Sequence, residues 1–90
     1  MCTTIAGKAP VSGSGKGPHG WFDLDHAYVG YDHPFHADYE HALSIDFVNE
    51  AAGPSARVAV ELSRDSARDL ARRILEALEQ ADAYEQGSAA

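Results

Sequence analysis

The 90-residue sequence lacks features that several classes of protein need. It has one cysteine, so an internal disulfide is excluded and no oxidising compartment is required. Seven lysines and arginines stand against fourteen aspartates and glutamates, which gives a net charge of −7. Such a chain lacks the positive surface with which proteins bind nucleic acid or anionic membranes. We therefore expect neither partner.

Long apolar runs are missing as well. No segment approaches the ~20 apolar residues of a membrane span, and the first twenty residues contain no signal-peptide core. These absences predict a cytoplasmic protein. Ninety residues are enough for one domain with a small core, and an oligomer or a bound metal would usefully add to that core.

Strand patterns occupy most of the sequence up to Leu62. Apolar and polar residues alternate most clearly over Tyr39–Asn49 and again over Arg57–Leu62, and more weakly over Trp21–Tyr31. The β-branched stretch Thr3–Ala6 predicts a further short strand. The glycine-rich stretch 12–18 predicts a loop or the tip of a hairpin.

One helix is predicted after these strands. Ser63 is a good N-cap, and from Arg64 to about Ala83 the apolar residues recur with the period of an amphipathic helix. The apolar stripe consists of Ala67, Leu70, Ala71, Ile74, Leu75, Leu78 and Ala81. The predicted fold class is α+β with two layers: an antiparallel sheet of about four strands, with the long helix packed on one face. Residues 1–84 form the predicted single domain and 85–90 a flexible tail.

The histidines suggest where chemistry could occur. Four of the five lie between residues 26 and 41, together with three carboxylates, and imidazole and carboxylate are ligands of transition metals. Two strands and the turn between them would bring the rings together, so we predict a site for zinc or copper. The candidate ligands are His33, His36, His41, His26 and Cys2. No nucleotide cofactor is indicated.

Whether such a site is catalytic is left open by the sequence. If it is, Asp32 and Glu40 are candidates for a general base or for orienting a metal ligand. Cys2 is a candidate nucleophile, because removal of Met1 would place its thiol beside a free amine that can act as its base.

Other interpretations of the histidines remain, because their spacing matches no metal-site motif. The rings could cap turns and pair with neighbouring carboxylates, or they could titrate near pH ~6.5 and change the charge of the protein. The alternative function is then a non-enzymatic binding or assembly module. We expect a homodimer in which a second copy covers one face of the sheet, since few residues are available for a core. The aromatic residues near the histidines are compatible with a small-molecule ligand.

Several segments resemble a small bacterial family, of a type found in actinobacterial genomes, that carries no assigned function. The resemblance rests on the opening Met1–Thr4, on 17–22 (GPHGWF), on 32–37 (DHPFHA) and on 40–50 (EHALSIDFVNE), so it covers most of the chain. It implies a compact single-domain protein. It implies no activity, ligand or catalytic residue.

Overall fold

The computed structural model of the chain describes residues 5–88. Its elements are β1 (Ile5–Gly17), β2 (Gly20–Asp32), β3 (Ala42–Val48), a 3-10 turn (Glu50–Ala52), β4 (Arg57–Leu62) and α1 (Arg64–Ser88). The strands form one antiparallel sheet in the order β1-β2-β3-β4. The predicted α+β class, with four antiparallel strands and one long C-terminal helix, is confirmed.

The glycine-rich stretch departs from its prediction, because most of it belongs to β1. Pairing with β2 continues to Gly17 opposite Gly20, with a shift of register between Pro10 and Gly13. Glycine within a strand often marks a close approach of neighbouring groups. A side chain at Gly15 would come within 3.2 Å of a methyl group of Leu24, and one at Gly17 within 3.1 Å of the Phe22 ring. The glycines therefore make room for the larger side chains of β2.

Two other boundaries differ from the sequence prediction. β3 begins at Ala42 and not at Tyr39, because β2 ends at Asp32 opposite Ala42 and the carbonyl oxygen of Glu40 accepts from the His33 ring in place of a strand partner. The helix continues to Ser88, beyond the end predicted near Ala83. Its start agrees with the prediction, since the Ser63 hydroxyl accepts a hydrogen bond from the backbone N–H of Ser66 at 3.1 Å.

The pleat of the sheet gives it two chemically different faces. The face toward α1, here called the front face, carries Ile5, Val29, Tyr31, Leu43 and Ile45. The register places Lys8 opposite Tyr28 and Tyr28 opposite Asp46, so these side chains share the other face, the back face. The front face is apolar and the back face is polar.

The core within residues 5–88 is small. Its buried apolar residues are Ala27 and Ala42, and no larger side chain in this range is fully buried. The helix lies on the front side and approaches the sheet at β3. Even so, most of its apolar stripe is open to solvent: Leu75 is 66% exposed and Leu78 54%.

Candidate functional site

The structure separates the predicted metal ligands into two groups at opposite ends of β2. His26 lies opposite Val48, whereas His33 and His41 flank the other end, where Asp32 pairs with Ala42. Residues 26 and 32 are six positions apart, which is about 20 Å along a strand. A single ion cannot contact both groups. Cys2 lies outside the described residues.

His33 and His41 form a stack of rings with Tyr31. The ring centroids of His33 and His41 are 4.7 Å apart, and those of Tyr31 and His41 are 5.5 Å apart, with interplanar angles of 25° and 21°. His33 Nδ1 donates a hydrogen bond to the carbonyl oxygen of Glu40 at 3.0 Å, which fixes the orientation of the ring. The stack therefore brings two of the predicted ligands together.

The other predicted residues of this region have different contacts. The side chain of Asp32 accepts a hydrogen bond from the backbone N–H of His33 at 2.7 Å. Glu40 meets His33 through its backbone carbonyl. His36 is exposed, and its backbone N–H donates to Glu61 at 3.0 Å. The contacts of all three are thus those of residues that shape the connection between β2 and β3.

His26 belongs to a separate cluster with two carboxylates. Its Nδ1 lies 3.1 Å from Asp25 Oδ1 and 2.9 Å from Glu50 Oε1. Each of these three residues offers one potential ligand atom, and the three atoms lie within 4.8 Å of one another. Among residues 5–88, this is the group in which three potential metal ligands converge. The cluster could hold a cation between a ring nitrogen and two carboxylate oxygens.

The 3-10 turn after β3 positions Glu50 in this cluster. Asn49 caps the turn by accepting the backbone N–H of Ala52 at 3.1 Å, and its side-chain amide donates to the carbonyl oxygen of Asp23 at 2.9 Å. The backbone N–H of Glu50 donates to Asp25 Oδ2 at 3.0 Å. These bonds tie the turn to β2 and bring Glu50 over the back face.

Two further side chains of the back face hold the Glu50 carboxylate. Tyr28 donates its hydroxyl hydrogen to Glu50 Oε2 at 2.9 Å, and Lys8 Nζ lies 3.1 Å from Oε1. Lys8 also lies 5.3 Å from the centre of the Tyr28 ring, within reach of a cation–π contact. We call Lys8, Asp25, His26, Tyr28 and Glu50 the back-face cluster.

The back-face cluster keeps its carboxylates charged. Hydrogen bonds from Tyr28 and Lys8 hold the pKa of Glu50 below its usual value, and Glu50 in turn raises the pKa of Lys8. Desolvation opposes the charged form of Asp25. The backbone N–H of Glu50 and the ring of His26 overcome this effect, so the pKa of Asp25 is also lowered. The cluster therefore carries two negative charges at neutral pH, facing the ammonium group of Lys8 and the ring of His26.

Glu61 of β4 fixes the connection between β2 and β3. Its carboxylate accepts three successive backbone N–H groups, from Phe35 at 2.6 Å, His36 at 3.0 Å and Ala37 at 2.8 Å. The donors from Ala37 and Phe35 lower the pKa of Glu61. The bonds hold the backbone while the Phe35 side chain is 98% exposed.

Sequence reasoning missed Asp25, Glu50 and Glu61. Asp25 precedes His26 directly, and neighbouring side chains in a strand point to opposite faces, so a strand pattern does not predict a joint site. Glu50 and Glu61 reach their partners through the register of the sheet, across 24 to 26 residues. Only knowledge of the strand pairing could have revealed them.

The front face carries an apolar concave surface. An open groove of about 620 Å³ lies between the sheet and the first half of α1. Its walls are apolar side chains of β1, β2 and β3 and the helix residues Ala67, Leu70, Ala71 and Ile74. The groove therefore suits an apolar occupant.

Comparison with known proteins connects the chain to one family. A family model described as a family of unknown function (DUF6295) matches residues 1–88, which confirms the resemblance to a small single-domain family without an assigned function. Searches of curated proteins and of solved structures found no match. None of the helical residues between 5 and 88 forms a segment long and apolar enough to cross a membrane.

Proposed function

We propose that this chain, which belongs to the DUF6295 family of unknown function, works as a homodimeric binding and assembly module. The observation that carries the proposal is the exposed apolar stripe of α1. Ile74, Leu75 and Leu78 are each more than half exposed. Full burial of such a side chain stabilises a protein by roughly 1.5–3 kcal/mol. The stripe gains that stabilisation only when something covers it.

The helix itself needs such a cover. Isolated helices are marginal in water, and most helical stability in proteins comes from packing of the apolar face. Side chains of α1 are described for residues 64–87. Within this range only Ala67 and Glu76 are partly buried, and all the others are exposed. The contacts that one chain supplies are therefore few for a helix of 25 residues.

The surface area of the chain is consistent with a dimer. Its accessible surface is 6967 Å². A monomeric globular protein of 9.6 kDa is expected to expose about 5,100 Å². The excess, about 1,900 Å², is more than the roughly 800 Å² that each partner buries in a standard interface. A second copy is the simplest partner, since twofold dimers are the commonest oligomers and an apolar face is complementary to itself.

A pair of charge insertions tests the proposal. Leu78→Asp places a carboxylate in the exposed stripe, and Gln80→Asp places the same group on the opposite side of the helix. We expect the wild type and Gln80→Asp to sediment as dimers and Leu78→Asp as a monomer. A wild-type protein that remains monomeric at high micromolar concentration would contradict the proposal.

A second candidate function is transition-metal binding, supported by the convergence of Asp25, His26 and Glu50. Ligand atoms at right angles around an ion, each ~2.1 Å from it, are about 3.0 Å apart. The distances from His26 Nδ1 to the two carboxylate oxygens, 3.1 and 2.9 Å, agree with this spacing. Right-angled nitrogen and oxygen ligands are typical of copper(II), and such an ion would replace Lys8 as the positive partner of Glu50.

Elemental analysis of untagged protein tests metal binding. We expect one equivalent of a transition metal after titration, its loss in His26→Gln, and its retention in the control His36→Gln. Loss in His33→Gln or His41→Gln, with retention in His26→Gln, would move the site to the stacked rings. If no metal is taken up, this second function is wrong.

A further inference from the structure

We infer that two α1 helices pair antiparallel across a twofold axis at Ile74, so that the second half of each helix fills the front-face groove of the other chain. This inference rests on the proposed homodimer and adds which element of the partner occupies the groove. Three independent features support it: the arrangement of the stripe, the distribution of charge and the width of the sheet.

Five of the seven residues of the apolar stripe form a palindrome, and the other two, Ala71 and Leu75, lie along one edge of the stripe. Ala67, Leu70, Ile74, Leu78 and Ala81 are separated by three, four, four and three residues. Reversing the helix about Ile74 therefore places leucine level with leucine and alanine level with alanine. An antiparallel pair related by a twofold axis needs this symmetry, because each residue meets the partner's residue at an equal distance beyond the axis.

The charges of α1 are divided about the same point. All four of its arginines, Arg64, Arg68, Arg72 and Arg73, lie in the first ten residues, and four of its six acidic residues lie in the remaining fifteen. This order opposes the helix dipole, which favours acidic residues at the start and basic residues at the end. In an antiparallel pair this charge order becomes favourable, because the basic half of each helix then lies beside the acidic half of the other.

Individual positions agree with this charge pairing. Arg68 and Glu79 are eleven residues apart, about three helical turns, so they border the stripe on the same side. In an antiparallel pair with its axis at Ile74, Arg68 lies level with the partner's residue 80 and therefore beside its Glu79. Each dimer contains this arrangement twice.

The sheet has room for one more helix. Four strands spaced ~4.8 Å apart give a face about 19 Å wide, and a helix with its side chains occupies about 10 Å. The chain's own helix approaches β3. On the β1 and β2 side of the face, Ile5 is 65% and Val29 41% exposed. This uncovered half of the face matches the width of one helix.

The length of the helix allows the exchange. Its 25 residues extend about 37 Å, whereas the seven residues of β3 extend about 23 Å. The chain's own helix lines the groove only as far as Ile74. Leu75, Leu78 and Ala81 lie beyond that point, and in the antiparallel pair they run along the first half of the partner helix and over the partner's β1 and β2.

A single cysteine at the axis tests the pairing. In a Cys2→Ser background, Ile74→Cys places two thiols face to face at the axis of the antiparallel pair. Leu78→Cys thiols would face each other in a parallel pair, but lie about 12 Å apart along the helix axis in the antiparallel pair. Gln80→Cys places its thiol away from the stripe. Under mild oxidation we expect Ile74→Cys to form a covalent dimer and both Leu78→Cys and Gln80→Cys to remain uncross-linked; a covalent dimer of Leu78→Cys would contradict the antiparallel pairing. Sedimentation is measured on all the reduced variants.

A charge exchange gives a second readout that keeps the apolar stripe unchanged. Arg68→Glu and Glu79→Arg should each weaken the dimer roughly tenfold, and the double variant should recover the wild-type dissociation constant. If the wild type is a dimer but Ile74→Cys does not cross-link and the double variant shows no recovery, the antiparallel pairing is wrong while the homodimer stands. If the wild type is a monomer, both proposals are wrong.

Discussion

The two faces of the sheet differ in how completely one chain satisfies them. On the back face the polar side chains find partners within the chain: Glu50 contacts Lys8 and Tyr28, and Asp46 binds Arg57 at 2.9 Å. On the front face the apolar side chains remain open, both on the sheet and on the helix. A polar face can be completed by local pairs and by water, whereas an apolar face needs a second surface.

The width of the sheet explains why the front face stays open. One helix covers about half the width of a four-stranded sheet, so a chain with a single helix cannot close its own front face. We therefore expect one chain to satisfy the side chains of its back face, whereas the apolar side chains of the front face need a partner chain to cover them. Changes on the two faces should have separable effects.

The largest effect is expected from a charge at the centre of the front interface. Ile74→Asp places two carboxylates beside each other at the proposed twofold axis and removes two apolar contacts, at a cost of roughly 3–6 kcal/mol per dimer. We expect the dimer to dissociate and the far-ultraviolet circular dichroism of α1 to fall. Glu76 lies on the opposite side of the helix, so the control Glu76→Asp should leave the dimer and the circular dichroism unchanged.

A clear but smaller effect is expected from the Glu61 carboxylate. Glu61→Ala removes the acceptor of three backbone N–H groups, so the connection 33–41 should become more susceptible to protease and the melting temperature should fall. Glu61→Gln retains one carbonyl acceptor, so its melting temperature and protease susceptibility should lie between those of the wild type and Glu61→Ala. Since Glu61 is on the back face, sedimentation should still show a dimer. Dissociation of the Glu61→Ala protein would contradict the separation of the two faces.

The pH dependence of stability should follow the carboxylates of the back face. The pKa values of Asp25, Glu50 and Glu61 are all lowered in the folded chain. Their stabilisation is thus present above the unfolded pKa values, near 4, and lost as the pH falls through the lower folded values. Thermal melts should show a decline below about pH 4 that is weaker in Glu50→Gln. An identical decline in that variant would exclude Glu50 as a contributor.

Lys8 gives the opposite dependence at high pH. Its raised pKa means that its stabilisation is present below the ordinary lysine pKa of 10.5 and is lost as the pH rises through the higher folded value. Lys8→Met keeps a long unbranched side chain at this position and removes its charge. It should flatten the alkaline decline and leave the acid decline due to Glu61 in place.

The smallest effect is expected for Tyr28→Phe, which removes one hydrogen bond to an exposed carboxylate. The pKa of Glu50 should rise toward its usual value, because Tyr28 is the largest contributor to its lowering. Titration followed by carboxyl-carbon NMR measures this shift directly. An unchanged pKa of Glu50 would show that Lys8 and His26 hold the carboxylate without Tyr28.

The sequence predicted the elements better than their contacts. The helix and the strand Arg57–Leu62 were predictable because a regular period in the sequence reports a regular apolar face. The glycines of β1 were misleading, since their local preference for turns is overridden by pairing with β2. The residues before β3 were misleading for a different reason: the alternation continues through Tyr39 and His41, but β2 ends at Asp32 opposite Ala42, so these residues have no strand to pair with.

The candidate site was only partly predictable. Ligand types and their density indicated His26, His33 and His41, but sequence proximity suggested one site where β2 separates two. Asp25 and Glu50 join His26 because the 3-10 turn is anchored to β2 by hydrogen bonds to Asp23 and Asp25. Such convergence depends on register, which no local pattern encodes.

The central claim is that a second copy covers the front face, and the most direct test is sedimentation equilibrium of untagged wild-type protein over a hundredfold range of concentration. We expect a mass of twice 9.6 kDa, with dissociation only toward the lowest concentrations. A mass of 9.6 kDa throughout, with full helicity retained, would show that one chain stabilises its exposed helix alone. That result would contradict the account.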